Sequence, residues 1–143
     1  MSETVRQFPI PAAKYLPHRE AMCCIDEILD CRGAAIKAGV TLHSDHVLLT
    51  AQGILERSGF IELAAQAGCA LMGLSVPEGE MPASAWLAGV QDFEVVQDAK
   101  TNDTLIIDAA ITRELAEIRV LDFKITTQNQ LLATGSLKVF YQG

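Results

Sequence analysis

Glu62 is the residue whose surroundings ask most insistently for a chemical reading. It sits in the segment Gly59-Phe60-Ile61-Glu62-Leu63-Ala64-Ala65-Gln66, which is otherwise apolar or small. On a helix, Gln66 lies one turn further along, so the two share a face with Ser58 and Cys69. A carboxylate on such a face is partly desolvated; this favours its protonated form and suits general acid work. The plainer reading is a structural glutamate near the first turns of a helix, favoured by the helix dipole.

Three histidines, His18, His43 and His46, are available as bases. His43 and His46 fall in the stretch just before this helix, where either can approach its N-terminus. Taken singly, each also reads as an ordinary loop histidine. Backbone N–H groups near Gly53 to Leu55 would offer donors to a carbonyl oxygen. A base, an acid and an oxyanion site together permit elimination of water from a 3-hydroxyacyl thioester. In that scheme Glu62 is the acid, His46 the first candidate base and His18 or His43 its substitutes, while Gly53, Gln66 and His43 line the substrate. A carboxylate that activates water instead would make the same site a thioesterase.

The elements that must position these groups follow from hydrophobic periodicity. Ile54 to Met72 reads as a helix, with Phe60, Ile61, Ala64, Ala67, Gly68, Leu71 and Met72 at helical spacing. Gly59 and Gly68 lower its intrinsic stability, which points to another backbone pressed close against it. Gly73, Pro77 and Gly79 are expected to end it. Before it, Ala34 to Leu42 alternates, with Ile36, Ala38, Val40 and Leu42 on one face, as in a half-buried strand. A short helix is possible around Ile10 to Tyr15.

After the helix, Trp86 to Tyr141 is strand-like throughout, and four consecutive strands predict an antiparallel meander. Ile118 and Val120 change parity with Leu121, Phe123 and Ile125, which predicts a β-bulge between them. Gln128-Asn129-Gln130 is a turn. A helix apolar on most sides needs cover on most sides. The expected fold is therefore α+β: one hot-dog domain over residues 1–143, its long central helix wrapped by a curved antiparallel sheet, with a second chain completing the cover.

Composition narrows the function classes. The chain has 143 residues, half of them hydrophobic and a fifth charged, which suits one globular domain with a real core. Its formal charge of -7 argues against binding a nucleic-acid backbone. The uncharged run Leu63 to Val76 is too short to span a bilayer, and the charged, proline-containing opening is unlike a signal peptide. A cytoplasmic protein is expected. Cys23, Cys24, Cys31 and Cys69 form no CxxC pair and read as reduced, mostly buried thiols. The sequence carries no P-loop, GxGxxG, GxSxG or metal-binding cluster, so no cofactor and no metal are implied.

Four motifs in order resemble the 3-hydroxyacyl-acyl-carrier-protein dehydratases of fatty acid synthesis. Leu16-Pro17-His18-Arg19 with Met22 and Ile25-Asp26-Glu27-Ile28-Leu29 resembles their opening. Ile61-Glu62-Leu63-Ala64-Ala65-Gln66 is similar to their central-helix signature, Glu-Ala-Met-Ala-Gln. Leu87-Ala88-Gly89-Val90 with Phe93 matches the strand after the helix, and Thr101-Asn102-Asp103-Thr104-Leu105 the Pro-Gly-Asp-x-Leu turn. The resemblance implies a hot-dog dimer with active sites at the interface, acyl-carrier-protein thioesters as substrates, Glu62 at the catalytic acid position and Gln66 in support of it.

The chain departs from the family in lacking its His-Phe-Pro-Gly motif. His46 is the nearest histidine upstream of Glu62, followed by Val47, Leu48 and Leu49. In this it resembles the shortened dehydratase relatives encoded with aryl-polyene pathways. That departure brings in an alternative, a non-catalytic acyl-binding subunit paired with a complete hot-dog partner in a heterodimer. Acyl carrier proteins are acidic, so docking one would call for a basic patch, with Arg6, Lys14, Arg19, Arg57 and Lys100 as candidates.

Overall fold

A computed structural model describes residues 7–15, 23–74 and 84–142. The elements run β1 (Ile10–Pro11), a 3-10 turn (Ala12–Tyr15), β2 (Glu27–Arg32), β3 (Ala35–Thr41), α1 (Arg57–Leu74), β4 (Ser84–Val95), β5 (Thr104–Leu115), β6 (Ile118–Thr127) and β7 (Gln130–Gln142). All strands join one antiparallel sheet in the order β1-β2-β3-β5-β6-β7-β4. This is the hot-dog fold: one long helix held in the curve of one sheet.

The inner face is written in the alternation. Ile36, Ala38 and Val40 of β3, with Leu42 just beyond it, are buried, as are Leu105, Ile107 and Ala109 of β5 and Leu121, Phe123 and Ile125 of β6. They pack against Phe60, Leu63, Ala64, Ala67, Ala70 and Leu71 of α1 in one core. Burying large side chains such as Phe60 and Leu63 contributes about 1.5–3 kcal/mol each.

Four expectations are corrected. First, α1 begins at Arg57, not Ile54, because Ile54 and Leu55 are held in β-bridges to Lys100 and Leu49. It runs through Gly73 to Leu74; Pro77 and Gly79 lie outside the described residues. Second, the close approach at Gly68 is made by a side chain. A Cβ there would stand 2.9 Å from Leu121 Cδ2, whereas backbone approaches at Gly73, 3.1 Å from Tyr15 O. Third, of the four strands after the helix, three, β5, β6 and β7, form a meander. β4 crosses to the far edge and pairs with β7, leaving β3 beside β5.

Fourth, β6 pairs with β7 without a break from Ile118 to Ile125. The bulge falls in the neighbouring strand, between Ile111 and Arg113 of β5. Ile118 and Val120 change parity because they face outward. Ile118 belongs to an outward cross-strand row with Trp86, Leu115 and the half-buried Phe140. The β6–β7 turn is as expected, with Gln128 and Asn129 both at positive φ.

Candidate functional site

α1 is not sealed all round. Ile61, Glu62, Ala65, Cys69 and Met72 are half-buried and Ser58 is exposed, so one stripe of the helix escapes the sheet. Glu62 stands in the middle of it. Gln66, one turn on, is turned inward and is only 1% exposed, the one buried polar side chain of the described core.

Gln66 is buried because both ends of its amide are used. Its Nε2–H donates to Glu62 Oε1 at 3.0 Å. Its Oε1 accepts the Cys24 backbone N–H at 2.7 Å. A buried polar group without partners would cost several kcal/mol, and here each bond offsets that cost. The result fixes the carboxylate of Glu62 on one side and straps the segment before β2 to the helix on the other.

His46 joins the same network from the loop. Its Nε2 lies 3.0 Å from Cys24 O, and its Nδ1 accepts the Leu48 backbone N–H at 3.2 Å. An N–H donor at Nδ1 requires a lone pair there, so the proton sits on Nε2 and is given to Cys24 O. In this arrangement neither ring nitrogen is available to a substrate proton. His43 is exposed and stands outside this network. His18 lies outside the described residues, with Arg6 and Arg19.

The backbone donors expected near Gly53 are spent within the chain. Gly53 N–H bonds Thr50 O, Leu55 N–H bonds Ala99 O, and Ile54 N–H bonds Thr50 Oγ1. Gly53 is instead a tight corner at positive φ, where a Cβ would collide with Thr101 Oγ1 at 2.6 Å. Its role is to shape the approach to the helix.

The carboxylate also acts on its neighbours. The Cys24 thiol is pushed up from 9.0 to about 11, first by burial and then by the negative charge of Glu62, with the Gln66 hydrogen bond pulling the other way. The Cys69 thiol is raised by the same two causes, burial first. Both are neutral thiols at ordinary pH, poorly suited to nucleophilic work. None of the four cysteines is in a disulfide; Cys24 is buried and the other three are half-buried.

Two other features stay apart from this site. Arg57, a candidate for carrier docking, pairs with Asp98 at 3.3 Å. A groove of about 550 Å3 lined by Arg113, Val120, Asp122 and Lys138 lies on the outer face of the sheet and touches none of the predicted site residues. Among the described residues there is no cluster able to hold a metal ion, and no helix is long and apolar enough to cross a membrane.

A long helix cradled by one curved antiparallel sheet, with a glutamate on its open stripe, makes this a hot-dog protein. More particularly, residues 10–142 match the ApeP-like family, described as ApeP dehydratase, and the chain belongs to that family. Among solved structures it is similar to a chain of the dehydratase heterocomplex ApeI:P from Xenorhabdus doucetiae, at 21% identity and TM-score 0.85, covering 96% of this chain and 93% of that one. It also resembles a hypothetical thioesterase from Streptococcus pneumoniae TIGR4 solved with coenzyme A, at 16% identity and TM-score 0.68, over 82% of this chain and 85% of that one. The PaaI protein of the E. coli phenylacetic acid degradation operon is similar at 17% identity and TM-score 0.63, over 79% and 80%. No curated protein matches the sequence.

One participant in the network escaped sequence reasoning. Cys24 takes part through its backbone N–H and C=O, and backbone groups leave no mark in a residue pattern. The only available signal was a buried-type residue two positions before the Asp26-Glu27 pair, which is too common to single out.

Proposed function

We propose that this chain supplies Glu62 as the acid of a dehydratase site acting on 3-hydroxyacyl or polyenoyl thioesters carried on acyl carrier protein, in fatty acid or polyene biosynthesis. The observation that carries this reading is a half-buried carboxylate on the one open stripe of α1, gripped by Gln66. The base removes the proton on the carbon between the thioester carbonyl and the carbinol. The C–O bond then breaks, and Glu62 gives its proton to the departing hydroxyl, which leaves as water and an enoyl thioester remains. The amide N–H of Gln66 is placed to hold the carboxylate as it becomes charged.

The base is a histidine of a second hot-dog subunit. Two observations support that. Both nitrogens of His46 are already bonded within the chain. β4 ends the sheet with no strand on its outer side among the described residues, and its inward-register residues Leu87 and Val90 remain 48% and 38% exposed. A long apolar edge is a surface that natural proteins cover. A relative of the same fold was solved as a dehydratase heterocomplex, which agrees with a hot-dog partner rather than a lone chain.

The same occupied imidazole favours a second reading, a non-catalytic acyl-binding subunit that only shapes its partner's site. The test is co-expression with a complete hot-dog dehydratase, followed by a 3-hydroxyacyl thioester assay read by enoyl absorbance. Turnover by the mixed complex that neither subunit shows alone is expected. Full turnover by the partner alone, unchanged on adding this chain, would refute the catalytic role. Free thiol released without alkene would make the chain a thioesterase component.

A further inference from the structure

His46 has a task of its own in the described network. Four hydrogen bonds run in series from the loop to the acid: Leu48 N–H to His46 Nδ1 at 3.2 Å, His46 Nε2–H to Cys24 O at 3.0 Å, Cys24 N–H to Gln66 Oε1 at 2.7 Å, and Gln66 Nε2–H to Glu62 Oε1 at 3.0 Å. We infer that His46 is a positioning residue, which helps set the orientation of the Glu62 carboxylate by holding the backbone of Cys24, through its carbonyl, so that its N–H meets Gln66. This rests on the reading of Glu62 as the acid.

The direction of each bond makes the series one-way. Leu48 is a backbone donor, so Nδ1 must accept. Nε2 must then donate, Cys24 presents its carbonyl to the ring and its N–H to the helix, and the Gln66 amide is thereby fixed with Oε1 toward Cys24 and Nε2 toward Glu62. An amide flipped the other way would set N–H against N–H at Cys24 and oxygen against carboxylate at Glu62, and both encounters are repulsive. The Cys24 N–H thus decides which end of the Gln66 amide Glu62 meets, and His46 holds the next peptide along by its Cys24 carbonyl. Asp26 N–H bonds Gly39 O, which ties down the far side of the segment.

The two ring nitrogens separate this role from that of a base. Glutamine places an N–H close to where Nε2–H stands, so His46→Gln keeps the bond to Cys24 O. Asparagine reaches only to the Nδ1 position, so His46→Asn keeps the bond to Leu48 and loses the relay. His46→Leu loses both. A proton-accepting imidazole is replaced by none of the three.

The experiment measures dehydration kinetics and Cys24 amide hydrogen exchange in the complex of this chain with its hot-dog partner. His46→Gln is expected to keep kcat within about threefold, whereas His46→Asn and His46→Leu lower kcat about 10- to 100-fold at unchanged KM, the size of effect a misplaced acid produces. Cys24 N–H exchange stays slow in the wild type and His46→Gln, and quickens in the other two. Loss of about 100-fold or more in His46→Gln with the Cys24 amide still protected would make His46 the base and overturn the inference. Full activity in His46→Leu would overturn it as well. If the wild-type complex forms no alkene, the dehydratase reading fails by itself, and the relay stands or falls on the exchange pattern of the three variants.

Discussion

α1 has two faces with different obligations. The inward face carries Phe60, Leu63, Ala64, Ala67 and Leu71, all buried against β3, β5 and β6. Its residues are interchangeable in chemistry and demanding in shape. The open stripe carries Ser58, Glu62, Ala65 and Cys69, whose packing is slack and whose chemistry is particular. Gln66 stands on the boundary, buried like the first face and polar like the second. The difference teaches that stability and reactivity are divided between opposite sides of one helix, and that a single amide couples them.

Substitutions on each face should break that division in different ways. Phe60→Ala empties a fully buried site and is expected to lower unfolding free energy by about 3–5 kcal/mol, read by urea or thermal melting. Glu62→Gln, half a turn away, should leave the same melt within about 1 kcal/mol. Equal losses at both positions would mean that the two faces are not distinct.

Gln66→Leu tests the boundary. It leaves the Cys24 N–H without its acceptor in a buried place, at an expected cost of about 1–3 kcal/mol in the same melt. A neutral or stabilising result would show that Cys24 finds another partner, and that the coupling between faces is loose.

Gly68→Ala is expected to change stability by less than about 1 kcal/mol. The new Cβ would meet Leu121 Cδ2 at 2.9 Å, but that methyl is the far end of a side chain that can turn, and alanine favours the helix by about 1 kcal/mol. A loss well beyond that value in calorimetry would mean the inner face has no slack at all.

The thiols sharpen the comparison most finely. Because burial and Glu62 raise the Cys69 thiol, alkylation at pH 8 should be slower than for free cysteine, and Glu62→Gln should quicken it by removing one of the two causes. The sign of the stability effect follows for Cys24. Its pKa is raised in the folded state, so its contribution is fully present below 9.0 and is lost as pH climbs through about 11. A melting temperature unmoved across that alkaline window would argue that the thiol is not held in its buried, charged surroundings.

Much of the inner face could be read from the sequence. Ile36, Ala38, Val40 and Leu42 alternate, and the helical spacing of Phe60, Ala64, Ala67 and Leu71 points inward, because local periodicity reports burial directly. The pairing of Glu62 with Gln66 was also legible, since i and i+4 meet on any helix. The far-edge position of β4 was not, because nothing in a strand's own residues says which neighbour it will choose. The outward apolar row of Trp86, Leu115, Ile118 and Phe140 disguised itself as a bulge for the same reason: parity alone cannot separate an irregular strand from an apolar outer face. His46 shows the limit at the site. Its type suggested a base, but its bonds to Cys24 and Leu48 depend on a loop folding against a segment some twenty residues earlier.

The central claim is that the carboxylate on the open stripe takes part in the chemistry. Its most direct measurement is the turnover number of Glu62→Gln in the assembled complex, with a 3-hydroxyacyl thioester as substrate and the melting curve as a control. A loss of about 10²- to 10⁴-fold with an unaltered melt is the predicted result. Wild-type turnover in that variant would contradict the account.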